Sequence, residues 1–335
     1  MSGGARFAAP PLVSDRATGM PARRRGGTLA QAQRAFLAYI FILPSIALLA
    51  VFMYYPAFSA LYHSFFNWNG FTQATYVGLG NFATMAEDAT MRAATGNVLR
   101  LTAFAVVVSV TVPLFVARLI LGLPSGWAQY LFRVLFVIPL VLPQVVIYLI
   151  WKYLYDPNFG LLNALLAVLH IGSPQAWLGD PQHALYALMG IGFPWVDGFA
   201  LLIFTAGLQS IPREILDAAA IDGAGSLERF RRIEFPLVVG QIKLILVLNM
   251  IWTIQNFTSV LILTQGGPGT STMVPGMVLY QSSFLNERMG YACAIGMAMF
   301  LVMLTLTYIN LRYVRSESEF APREAIAAAP AVARA

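Results

Sequence analysis

Residues 211–238 read IPREILDAAAIDGAGSLERFRRIEFPLV. Ile211, Ile215, Leu216, Ala219 and Ala220 recur at helical spacing, and Pro212 suits a first helical position. Gly223 and Gly225 interrupt that pattern. Ser226 can cap a second helix, in which Leu227, Phe230 and Ile233 carry an apolar face as far as Pro236. The spacing predicts two short helices joined by a glycine turn. Their other face mixes Glu214, Asp217, Asp222 and Glu228 with Arg229, Arg231 and Arg232. Such a pair stands out because long, nearly uncharged apolar runs lie on both sides of it.

Those runs set the class. Hydrophobic residues make up 58% of the 335-residue chain and charged residues 11%, against roughly 45–50% and about 25% in average soluble domains. So few charges cannot cover the outside of a soluble core of this size. Six apolar segments (36–58, 98–117, 134–151, 184–208, 244–263 and 289–311) each approach the ~20 residues that a helix needs to cross the hydrocarbon layer. Within them only Arg100 and Asp197 are charged. The expectation is an all-α, polytopic membrane protein with six transmembrane helices. The first run exceeds the roughly 7–15 residues of a signal-peptide core. Residues 1–35, rich in Gly, Pro, Ala and Arg, read as a disordered basic tail, and 314–335 as a second one. Cys293 is the only cysteine, so no disulfide framework exists.

The net charge of +6 does not indicate nucleic acid, because of where the charges fall. With the N-terminus placed in the cytoplasm, the inner side carries 17 of the 21 basic residues. Six lie in the N-terminal tail, and two (Arg118 and Arg133) border the second loop. Five lie in the fourth loop, counting Lys243, and four in the C-terminal tail. Arg92, Arg100, Lys152 and Arg288 remain outside. The positive-inside rule discounts long tails, yet the short inner loops agree with them. Both termini and residues 211–238 are expected in the cytoplasm. From these residues alone the loop fits either an interfacial helix pair whose arginines meet anionic lipid or a docking element for a soluble partner.

The spacing of Asp217-Ala218-Ala219, Gly223, Ile233 and Pro236 closely resembles the EAA signature of ATP-binding-cassette importer permeases. The surrounding IPREILDAAAIDGA is similar to the carbohydrate-uptake branch of that family, the maltose and glycerol-3-phosphate type. GLGNF at 78–82, WKYLYDPNFGLLNALL at 151–166, AGLQSIP at 206–212 and LTQGGPGTST at 263–272 extend the likeness over residues 36–313. The resemblance implies a type I importer permease fold with a cytoplasmic coupling helix pair. It also implies a second homologous permease, two ATPase subunits that use ATP and Mg, and an extracytoplasmic solute-binding protein. It further implies a setting in the bacterial inner membrane. By the same resemblance, Glu214, Leu216, Asp217, Ala218, Ala219, Ala220, Asp222, Gly223, Phe230, Ile233 and Pro236 form the coupling element, with Leu216, Ala220 and Phe230 as packing contacts. The family usually has Glu where this chain has Asp217, a side chain shorter by one methylene.

This chain carries no GxxxxGK[ST] phosphate loop, so ATP hydrolysis is expected in a partner, with no cofactor on this chain. His63, His170 and His183 lack metal-ligand spacing. Gly266, Gly267 and Pro268 read as a tight outer turn, which the resemblance places toward the binding protein or the gate. Polar residues inside spans are costly unless they face water, protein or substrate. Gln144, Trp151, Trp195, Asp197, Asn249, Trp252, Gln255 and Asn256 are therefore the candidate substrate path, although interhelical packing explains such residues too. Aromatic rings with amides suit a sugar or polyol. Pro194 and Gly198 flank Asp197, and a broken helix is tolerated there only where it is buried or lines a cavity. Small residues in segment six (Gly290, Ala294 and Ala298; Ala292 and Gly296) permit close helix approach. The alternative function is a stand-alone secondary transporter or channel, for which the chain shows no paired repeats.

Overall fold

The computed structural model describes residues 28–313; the tail expected over 314–335 and residues 1–27 of the other lie outside that range, while 28–35, expected as tail, form the first turns of a helix. The chain divides into two units, up to Ala57 and from Phe58 onward. The first holds α1 (Thr28–Leu49) and one π turn, Ala50–Tyr54, and the boundary falls within α2 (Tyr55–His63). Pro56 has no N–H to offer Phe52, and the ladder loosens just there: Tyr55 N–H bonds Ala50 O, five residues back.

After α2 the second unit continues with a two-stranded antiparallel ribbon, β1 (Phe66–Asn67) and β2 (Thr75–Tyr76), followed by α3 (Gly80–Glu87). The longest helix is α4, Ala89–Leu121, about 50 Å at 1.5 Å per residue. Asp88 caps it by accepting from Thr90 and Met91 N–H. Next come α5 (Gly126–Val137), a 3₁₀ turn at Ile138–Val141, α6 (Gln144–Leu154), α7 (Leu161–Leu169), α8 (Ala184–Gly190) and α9 (Gly198–Gln209). The 211–238 stretch supplies α10 (Arg213–Ile221), α11 (Ser226–Arg229), a π turn at Phe230–Glu234 and α12 (Phe235–Leu237). Pro236 repeats the logic of Pro56, since Phe235 N–H bonds Phe230 O. The chain finishes with α13 (Val239–Gln255), α14 (Thr258–Leu263), α15 (Pro275–Tyr280) and α16 (Met289–Tyr313).

Among the described residues, three stretches are long and apolar enough to cross a membrane unaided: Tyr39–His63, Ala89–Leu121 and Met289–Arg312. Three bent pairs raise the number to six if each is one span. They are Gly126–Val141 with Gln144–Leu154, Gly198–Gln209 with Arg213–Ile221, and Ser226–Leu237 with Val239–Gln255, bent by 97°, 68° and 66°. The 97° bend falls inside 134–151, whereas the 68° and 66° bends lie at 210–212 and at 238, outside the apolar segments. The segments 134–151, 184–208 and 244–263 are each interrupted as helices, the second of them beside Asp197, where a break is expected. The first breaks where Pro139 and Pro143 remove donors. The second breaks over 191–197, where Gly192 and Trp195 take positive φ (81° and 58°). The third breaks at Asn256, whose backbone leaves the helix and whose side-chain oxygen accepts from Thr258 N–H at 3.0 Å to start α14.

Helix α4 threads two apolar clusters. Its first turns (Met91, Ala94 and Val98) join Val260, Val274, Met277 and Ile295. Its last turns (Leu114, Ala117 and Ile120) join Leu201, Phe204, Val238 and Ile242. Segment six uses its small residues within the chain. A Cβ on Gly290 would run into Phe66 O, and one on Gly296 would touch Leu279.

Candidate functional site

Between the two clusters, along the middle of α4, lies a cavity of about 400 Å³. Leu101, Phe104, Ala105, Val108 and Ser109 of α4 form one wall. The rest of the lining comes from the three broken segments, at their breaks. Gln144 is the first residue of α6, Asp197 caps α9, and Asn256 joins α13 to α14; all three line the cavity. Irregular backbone at membrane depth is tolerated where it lines such a space, because water or a polar solute can satisfy the freed groups.

Six of the eight candidate path residues line this one cavity: Gln144, Trp195, Asp197, Asn249, Trp252 and Asn256. Trp151 and Gln255 do not. Trp151 packs against Tyr155 at 5.4 Å between ring centroids, and Gln255 reaches Met303 Sδ at 3.3 Å on another face of α13. Trp195 is fixed by Nε1–H donating to Met189 O at 3.0 Å and by edge contacts with Phe104 and Phe193. Asn256 Nδ2 donates to Tyr148 Oη at 3.0 Å. The Asp197 carboxylate takes Ala200 N–H on one oxygen at 2.6 Å. Tyr148, Thr253, Ser259 and Ser109, which the sequence alone does not single out, add hydroxyls to the wall.

The second feature is the 211–238 stretch. Helix α10 ends in a Schellman turn: Ala224 N–H bonds Ala219 O at 2.9 Å and Gly223 N–H bonds Ala220 O at 3.1 Å. Gly223 takes φ +80°, and a Cβ there would meet nothing within 4 Å. Pro212 and Gly225 serve as N-caps, and Ser226 is the first residue of α11 rather than its cap. Helix α10 turns outward Glu214, Asp217, Ala218 and Ala220, followed by Asp222 and Gly223. Asp217 enters no ion pair or side-chain hydrogen bond among the described residues. Leu216 and Phe230, expected as packing contacts of the coupling element, are half-buried against the Leu201–Phe204–Val238 cluster. Ile233 and Pro236 are half-buried. The large apolar side chains left outside at the turn are Ile221 and Leu227, 86% and 77% exposed.

Sequence reasoning misses what holds this stretch in place. Glu234, only 6% exposed, accepts from Arg118 Nε at 2.7 Å and from Arg229 Nε at 3.1 Å. The Arg118 guanidinium also donates to Ser226 Oγ at 2.8 Å and lies 4.9 Å over the Phe230 ring. The last turn of α4 is thereby tied to the second helix of the pair. Nothing in the sequence links two residues so far apart in the chain. The only signal is Glu234 itself, an acid on the otherwise apolar side of its helix.

The 264–272 turn is clamped rather than free. Gly266 is buried with φ +92°, and a Cβ there would meet Met273 Cε at 2.6 Å. Gly267 and Pro268 are half-buried. Thr272 Oγ1 donates to Gly267 O at 2.7 Å, and Asn97 Nδ2 of α4 donates to both Thr270 O and Met273 O at 3.0 Å. Among the described residues no group of three His, Cys, Asp or Glu side chains could hold a metal ion.

Residues 115–316 match the family model described as "Binding-protein-dependent transport system inner membrane component". The chain is 31% identical over 290 residues to the diacetylchitobiose uptake system permease protein NgcF of Streptomyces coelicolor, covering 83% of this chain and 81% of that one. It is 29% identical over 290 residues to the probable ABC transporter permease protein YurN of Bacillus subtilis, with 86% and 99% covered. In three dimensions it superposes on a chain of a bacterial ABC transporter involved in alginate import with a TM-score of 0.74 at 20% identity, over 86% of this chain and 99% of that one. The fold is thus shared with a solved importer, and the chain belongs to the family of binding-protein-dependent transport system inner membrane components, as a permease of an ABC importer.

Proposed function

We propose that this permease passes a sugar or sugar-like polyol through the cavity at the three helix breaks, driven through the 211–238 stretch by separate ATPase subunits. The observation that carries the reading is the meeting of amides, hydroxyls and indoles from three broken segments around one space of about 400 Å³. Rings stack on the C–H faces of a sugar while amides and hydroxyls bond its hydroxyl groups. Relatives named for diacetylchitobiose uptake and for multiple-sugar binding and transport support the class.

In this reading the chain pairs with a second permease and two ATPases that use ATP and Mg, and receives solute from a binding protein outside. Both termini and the 211–238 stretch face the cytoplasm. Ile221, Leu227 and the outward Glu214, Asp217, Ala218, Ala220 and Asp222 form the contact with the ATPase, braced from behind by Glu234 and Arg118. Closure of the ATPases moves the pair as a rigid body. The test is co-purification of the chain with an ATPase, and its loss in Asp217→Arg or Gly223→Leu variants that still accumulate in the membrane. Full uptake by the isolated chain in liposomes without ATP would reject the reading.

A further inference from the structure

The cavity is polar in a one-sided way. Among the described residues that line it, Asp197 alone carries a charge; no Lys, Arg or His reaches the wall. The nearby basic residues are engaged elsewhere. Arg100 donates to Asn97 Oδ1, and Lys152 to Ile262 O. Helix ends also carry partial charge, and α6, α9 and α14 all begin at the cavity. Each break, however, also brings a helix end of the opposite sign: the 3₁₀ turn before α6, α8 before α9, and α13 before α14. The partial charges, about half a unit each, meet as opposed pairs and largely cancel. What remains is one carboxylate, with one oxygen turned to Ala200 N–H and the other without a protein partner among the described residues.

Resting on the reading of this cavity as the solute path, we propose that Asp197 sets the charge class of the substrate. The cavity takes neutral polyhydroxylated or amine-bearing sugars and turns away acidic and phosphorylated ones. A charge in a space walled by low-dielectric protein acts far more strongly than in water, and a cleft lined by one sign enriches its counter-ions by roughly 10- to 10³-fold. The same carboxylate can accept hydroxyl hydrogens from a neutral sugar through its open oxygen, so it selects without needing a cationic ligand.

The experiment needs no knowledge of the natural solute. Cys293 is the only cysteine, so Cys293→Ala clears the background, and Ser259→Cys places a single thiol on the cavity wall. The assembled importer in membrane vesicles is treated with a cationic (trimethylammonium-ethyl) or an anionic (sulfonatoethyl) methanethiosulfonate. The ratio of their rates is compared with that on a free thiol. The expected result is a preference for the cation of on the order of tenfold or more. Asp197→Asn should remove that preference, and Asp197→Glu should keep it. Asn is as good an N-cap as Asp, so the first variant alters charge while leaving the acceptor that starts α9. A preference unchanged in Asp197→Asn overturns the proposal. So does wild-type uptake of a uronate oligomer or sugar phosphate at a rate that Asp197→Asn does not alter. A thiol that neither reagent reaches, with or without ATP, overturns the path reading instead.

Discussion

Replacing Glu234 by Gln removes the charge that holds Arg118 and Arg229 together at the base of the helix pair. Breaking a buried ion pair by deleting one partner costs about 3–5 kcal/mol. Here the figure is smaller, because the arginine side chains are 22% and 36% exposed while that of Glu234 is 8% exposed. Water recovers most of the Arg229 arm, which behaves as a surface pair worth at most about 1 kcal/mol. The Arg118 arm retains the larger share, so about 2–3 kcal/mol is lost in all. That loss raises the open population of the second helix by about 30- to 140-fold, at roughly 1.4 kcal/mol per decade. Hydrogen exchange read by mass spectrometry on peptides covering 226–237, in lipid nanodiscs, reports this opening directly. The matched control is Glu228→Gln, whose partner Arg232 is 77% exposed; an exposed i,i+4 pair contributes only about 0.3–0.5 kcal/mol, so exchange there should change less than threefold. If Glu234→Gln also exchanges within threefold of the wild type, the brace does not exist as described.

Two glycines should respond in opposite ways. Gly290→Ala drives a Cβ into Phe66 O and should cost about 1–3 kcal/mol, seen as a lower thermal midpoint of the purified permease. Gly223→Leu meets open space within this chain and costs only the left-handed strain of about 1–2 kcal/mol. It should therefore accumulate and fold, yet lose uptake at the ATPase contact; normal uptake from a stably assembled complex would contradict this. Asn97→Leu leaves Thr270 O in the 264–272 turn and Met273 O just after it without their donor, at about 1–3 kcal/mol each, which limited proteolysis of that turn should report as faster cleavage. Burial alone would raise the Asp88 carboxyl, but hydrogen bonds from Tyr291, Thr90 and Met91 outweigh it and hold the pKa below its ordinary 3.8. A depressed carboxylate stabilises the fold above the unfolded value and loses that contribution as pH falls through the folded one. The difference in thermal midpoint between wild type and Asp88→Asn should thus be largest near neutral pH and close in acid below about pH 4.

Much of this molecule is legible in its sequence, for identifiable reasons. Lipid tolerates few charges, so Arg100 and Asp197 stand out, and the amides of the fifth segment stand out beside them. Six of the eight residues chosen on that ground surround one cavity. Hydropathy cannot register a break, however. Pro139, Pro143 and Asn256 sit inside runs whose mean hydropathy stays high, and only the backbone shows the chain turning there. Nor can a nine-residue helix reveal which flank is covered. Leu216 and Ile221 are equally apolar, yet the first packs inward and the second is 86% exposed. Burial of that face depends on Leu201 and Val238, set by long-range packing. The tie between Arg118 and Glu234 depends on tertiary proximity alone, which one sequence does not encode in any local pattern.

The shortness of α9 has a mechanical consequence. Its twelve residues, Gly198–Gln209, form a strut about 18 Å long, with the cavity carboxylate at one tip and the start of the helix pair just past the other. A strut of that length needs little rotation to matter: a pivot of about 10° swings its far tip by roughly 3 Å, the length of one hydrogen bond. Because it stops at Asp197 instead of running on to Ala184, its swing is not shared with α8. A small push at Ile211 would therefore reach the cavity as the making or breaking of single contacts.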